Sequence, residues 1–171
     1  DVSQRQDDIL VVDSDPETRS SMWHCDVTDD GAWCILSNSK DTDNKHRYYI
    51  ASLDQGVSSR MAWIPISSQF LFMLDYIAND GTRFYMLTNK DAPNYRIVSF
   101  DVEPRAAQTV EHVCMLTGGI ETSQDVVPED KDGAILTTAA VIDQNKLLAV
   151  YSRDVKDELW VFDLSPGERV T

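Results

Sequence analysis

Few side chains in this sequence could bind a metal or move a proton, and their spacing limits what they can do. Its three histidines stand apart: His24 follows Trp23, His46 lies in Lys45-His46-Arg47, and His112 follows Glu111. No two are two or four positions apart, the spacing that places two ligands on one strand face or helix face, so no metal centre is expected. Asp41-Thr42-Asp43-Asn44-Lys45-His46 has the outline of a calcium loop, but Lys45 occupies its fifth position and His46 its sixth, where the loop needs glycine. A solvated turn is the expected structure there. The serine pairs Ser20-Ser21, Ser58-Ser59 and Ser67-Ser68 fall in turns or at strand edges, and the chain has no G-x-S-x-G elbow. No catalytic residue, metal or cofactor is therefore expected within these residues.

The three cysteines, Cys25, Cys34 and Cys114, have no C-x-x-C spacing, and each sits in a hydrophobic, strand-like setting. They read as free buried thiols of a reducing compartment. With no N-x-S/T sequon in the chain, a cytoplasmic location is the expectation. The net charge of −14 opposes both nucleic acid and anionic membrane surfaces, since each attracts a basic face. No apolar run approaches the roughly 18 residues of a spanning helix. The 171 residues begin with Asp1 rather than Met and read as a piece of a longer chain.

The elements that carry these residues are β-strands. Short runs rich in β-branched and aromatic residues recur between turn signals: Trp33–Ser37, Tyr48–Leu53, Phe70–Ile77, Arg83–Thr88, Tyr95–Val102, Ala134–Ile142, Leu147–Ser152 and Glu158–Leu164. Asp30-Gly31 and Asp80-Gly81 are tight-hairpin pairs, and Asp143-Gln144-Asn145 takes the equivalent place in a third copy. From Gly31 to Gly81 is 50 residues and from Gly81 to Asn145 is 64. A repeated unit of about this size is a propeller blade.

The expected fold is all-β, a partial propeller of about three blades of four-stranded antiparallel sheet. The expected division is an outer strand of a preceding blade in 1–18, blades at 19–68 and 69–115, and an incomplete blade at 134–171. Ile9–Val12 would be that preceding outer strand. Ala62–Ile66 and Thr109–Val113 are the outer-strand candidates of the two full blades, Met115–Gly133 reads as a loop, and Glu168-Arg169-Val170 as the start of another outer strand. The alternating aromatics Trp33, Tyr48, Tyr49, Phe84, Tyr85, Trp160 and Phe162 are expected between blades.

Four segments then occur in a telling order: Asp8-Ile9-Leu10, Thr28-Asp29-Asp30-Gly31, Ala92-Pro93-Asn94-Tyr95-Arg96, and Ser152-Arg153-Asp154-Val155-Lys156-Asp157. From about residue 7 to 169 the chain resembles the propeller of the prolyl oligopeptidases. That resemblance implies a seven-bladed propeller set as a lid over an α/β-hydrolase domain, which holds the serine, aspartate and histidine. The lid admits short peptides, and cleavage follows proline. Implied partners are the hydrolase domain, the remaining blades and a short peptide substrate. By resemblance Met22 begins an inner strand facing the substrate cavity, and Ser39 and Thr42 border it where the family often has arginine and cysteine. The other class of function considered is a non-enzymatic, TolB-like propeller binding module.

Overall fold

The computed structural model describes residues 8–12, 20–103, 119–143 and 145–164. Three antiparallel sheets follow one another along the chain. The first is β1 (Ser21–Val27), β2 (Trp33–Lys40), β3 (His46–Ser52) and β4 (Ile64–Ser67), hydrogen-bonded in that order. The second is β5 (Leu74–Asp80), β6 (Arg83–Thr88), β7 (Arg96–Asp101) and β8 (Gln124–Val127), again in chain order. The third has three strands among the described residues, β9 (Ile135–Asp143), β10 (Lys146–Arg153) and β11 (Lys156–Asp163). The repeated four-stranded antiparallel unit expected from the sequence is thus present, joined by tight hairpins. Gly31 and Gly81 supply the positive φ those hairpins require, at 71° and 57°.

The stacking of these sheets explains the apolar runs. In β6, Phe84 and Met86 point into a core shared with the first sheet, where they meet Trp33, Ile35, Tyr48 and Ile50. Tyr85 and Leu87, from the same strand, point the other way into a core with Leu136, Leu147, Ala149 and Tyr151 of the third sheet. A strand buried on both faces loses the polar alternation of a half-exposed strand and becomes a continuous apolar run. The first strand of the first sheet is the opposite case. Met22 through Val27 are all exposed, which suits an inner strand facing a central space.

Two expectations need correction. Residues 9–12 form no strand; Val11 and Val12 instead pack against the outer face of the first sheet, beside Cys34, Leu36, Ala51, Met61 and Trp63. The fourth strand of the second sheet is β8, inside the segment read as a loop, so this sheet extends well past residue 115. Its sequence, Gln-Asp-Val-Val, is too short and polar to show a period of two. It is held because Val126 and Val127 are buried against the second core. Thr109–Val113, His112, Cys114 and Glu168–Val170 lie outside the described residues. The single helical element among the described residues is a 3-10 turn at Gly119–Thr122.

Candidate functional site

The inner end of the first sheet gathers the residues singled out from sequence. In the β1–β2 register Met22 lies directly opposite Ser39. Met22 is 58% exposed, so its thioether stands in the open space rather than in a core. Thr42 is exposed in the turn that leaves β2, three residues beyond Ser39 and at the same end of the sheet. Asp41 turns the chain there at a φ of 53°, and Asp43 Oδ1 accepts the Lys45 amide at 3.2 Å.

Asn38 was not marked from sequence. It is fully buried, and its Nδ2 donates to the Met22 carbonyl at 3.3 Å, which anchors the start of β1. The signal was a lone amide at the end of the apolar stretch Trp33–Leu36.

Between the first and second sheets lies a cleft of about 320 Å³, lined by Ser39, His24, Asp26, His46, Tyr48, Asp75 and Tyr76 among others. His24 and Asp26 stand two residues apart on β1, so the pleat turns both toward the second sheet. His46 closes one wall: its backbone N–H donates to the Phe72 carbonyl at 3.1 Å, and its ring Nδ1 lies 3.1 Å from the Leu74 carbonyl, as a donor. Burial pushes the Asp75 carboxyl up, partly offset by His46. Burial also pushes both phenols up, with Asp75 adding for Tyr48 and Asp29 adding for Tyr76, which reaches about 12. Both phenols are neutral at physiological pH, so the cleft offers hydrogen-bonding hydroxyls beside carboxylates. Among the described residues no group of three or more His, Cys, Asp or Glu could hold a metal ion.

The segments that carried the family resemblance have structural work. In Thr28-Asp29-Asp30-Gly31, Asp30 Oδ1 accepts the Thr28 hydroxyl at 2.6 Å and the Ala32 amide at 3.0 Å. In Ala92-Pro93-Asn94-Tyr95, Asn94 donates its amide to Glu129 Oε1 at 2.6 Å and accepts the Leu136 amide at 3.0 Å, stitching the second sheet to the third. Asp154-Val155 forms the two-residue turn between β10 and β11, both residues at positive φ. The preceding Arg153 donates to Asp130 Oδ1 at 3.2 Å and to the Asp132 carbonyl at 2.9 Å, beside a second cavity of about 350 Å³ bounded by Trp160 and Phe162.

Comparison with known proteins agrees with this geometry. Residues 2–171 match the family model for the prolyl oligopeptidase N-terminal β-propeller domain. Prolyl oligopeptidase A of Amanita bisporigera is 32% identical over 170 residues, which is 99% of this chain and 20% of that protein. The dual function macrocyclase-peptidase POPB of Galerina marginata is 27% identical, over 94% of this chain and 20% of its own length. The solved structure of Galerina marginata prolyl oligopeptidase B, bound to a 35mer hydrolysis and macrocyclization substrate, superposes with a TM-score of 0.79 at 26% identity, covering 98% of this chain and 21% of that one. The chain therefore spans about a fifth of the length of the relatives it matches. No helix among the described residues is long and apolar enough to cross a membrane. With its stacked antiparallel blades and a family match running from residue 2 to 171, the chain belongs to the prolyl oligopeptidase family, as part of the N-terminal β-propeller domain.

Proposed function

We propose that this chain is a wall of the propeller in a longer serine peptidase that cleaves short peptides after proline. An α/β-hydrolase domain outside these residues would supply the chemistry. The match over residues 2–171 to the propeller domain carries this reading, because that domain accompanies peptidase activity in the named relatives. The same match disfavours a free-standing TolB-like module. Within the wall, Met22, Ser39 and Thr42 are the proposed substrate-facing residues. Met22 has the exposure such a role needs, and a flexible, polarizable thioether accommodates varied peptide side chains. A cytoplasmic location is part of this proposal, supported by the free thiols of Cys25 and Cys34.

The test is hydrolysis of a chromogenic post-proline peptide by the full-length protein and by the 171-residue chain. The full-length protein is expected to release chromophore and the chain to release none. In the full-length protein, Met22→Ala is expected to raise KM several-fold while kcat stays near its original value, the pattern of lost uniform binding. Turnover by the chain alone would overturn the division of labour; an unchanged KM would remove Met22 from the substrate wall.

A further inference from the structure

We propose that Cys25 and Cys34 form a reversible disulfide site that fastens the exposed inner strand β1 to β2. Their sulfurs are 3.6 Å apart. The register explains why: Cys25 is opposite Leu36 and Cys34 is opposite Val27, so the cysteines are diagonal neighbours on one face of an antiparallel pair. That face is turned away from the cleft, because Met22, His24 and Asp26 alternate with Cys25 along β1. A bond would restrain the backbone of the strand that presents Met22, and would itself lie outside the cleft.

The two thiols differ in a way that orders the chemistry. Within this chain Cys25 is exposed and Cys34 is buried. Burial chiefly pushes the Cys34 thiol up to about 12, with the hydrogen bond and charge of Cys25 adding to it. Cys25 is thus the sulfur that meets a low-molecular-weight disulfide first. Its thiolate attacks one sulfur of the reagent, the reagent's S–S bond breaks, and one thiolate leaves. Cys34, as thiolate, then attacks the Cys25 sulfur and expels the second small thiolate. Two electrons pass from the protein to the reagent, and the two protons end on the released thiols.

Closing 3.6 Å to a bond of about 2.05 Å requires a small shift of β1. That shift is available because, among the described residues, β1 is hydrogen-bonded along one edge, to β2. A bond made across a diagonal is strained and hence readily reduced, the property of regulatory rather than structural disulfides.

The test uses the native protein carrying this chain, treated with oxidised glutathione, acid-quenched, alkylated and digested with trypsin. No Lys or Arg lies between Arg19 and Lys40, so both cysteines fall in one peptide, Ser20–Lys40. That peptide is expected to appear unlabelled and lighter by two hydrogens, and to return to the doubly alkylated form after dithiothreitol. Cys34→Ser is expected to stop at the glutathione adduct on Cys25. Slower amide exchange in β1 of the oxidised wild-type protein, reversed by reductant, is the expected consequence. A wild-type protein that stops at the Cys25 adduct, or keeps both thiols alkylatable, overturns the site. Unchanged exchange in β1 overturns the fastening role.

Discussion

The Asn79 side chain donates to Asp30 Oδ2 at 2.7 Å, tying the Asp-Gly hairpin of the second sheet to its counterpart in the first across 49 residues of chain. The same amide nitrogen lies 3.1 Å from the Gly81 carbonyl, which also accepts Trp33 Nε1 at 3.0 Å. Two equivalent turns are thereby latched at one edge of the blade stack. Asn79→Ala is expected to cost about 1 kcal/mol, below the usual range for a bond to a charged acceptor because the site is exposed. A double-mutant cycle with Asp30→Ala, read by urea unfolding, should give a coupling of at least about 0.5 kcal/mol; additive losses would show the latch to be inert.

Asp30 and Asp75 should titrate on opposite sides of the ordinary carboxylate value of 3.8. The Thr28 hydroxyl chiefly holds Asp30 below it, and burial holds Asp75 above it. For Asp30 the unfolded chain binds the proton more tightly. Its contribution to stability is present above 3.8 and lost as pH falls through the lower folded value. For Asp75 the folded state binds the proton more tightly, so stability declines as pH rises from 3.8 through the raised value. Carboxyl-carbon NMR of the two residues checks the order directly, and the reverse order would contradict the assigned causes.

Phe84 is fully buried, edge-on to Trp33 at 5.5 Å between ring centroids and stacked on Phe100 at 6.2 Å. Phe84→Ala should therefore destabilise by about 3–5 kcal/mol, from lost transfer energy and the cavity left behind. Gly119→Ala tests the same core from its edge, since an added Cβ would collide with the Phe100 ring. A loss of about 1–3 kcal/mol is expected for that overpacking. Chemical denaturation reads both, and a loss below about 1 kcal/mol for Phe84→Ala would show that the core relaxes around the gap.

Val155 sits at a φ of 63° at the tip of the β10–β11 hairpin with its side chain wholly in solvent. A β-branched residue pays about 1–2 kcal/mol for that backbone and makes no contacts in return. Val155→Gly is expected to stabilise the chain, by about 1 kcal/mol after the added entropy of the unfolded glycine. An unchanged or lower melting midpoint would show that the turn is not strained.

Within-sheet architecture was readable along the chain because it depends on neighbours in sequence. The Asp-Gly pair at 30–31 centres a hairpin whose register follows by counting, whereas the second hairpin turns on Gly81-Thr82 and shifts its register between Tyr76 and Ala78. Met22 opposite Ser39 follows from such a count, and the run Arg83–Thr88 was readable as a strand. The exceptions were elements that hold their place through distant contacts. Gln124–Val127 pairs with β7 across a long excursion, and Val11 and Val12 cover a sheet face without forming a strand.

Only the tertiary structure decided which faces meet. A period of two assigns a side chain to a face of its sheet, but not to a partner in the next one. For that reason the cleft joining His24 and Asp26 to Asp75, the His46 contact to Leu74 and the latch from Asn79 to Asp30 had no sequence signature. The 3.6 Å approach of Cys25 to Cys34 belongs to the same class: diagonal proximity follows from the register, but the closeness of the sulfurs depends on strand twist and rotamers, which packing of the whole sheet selects.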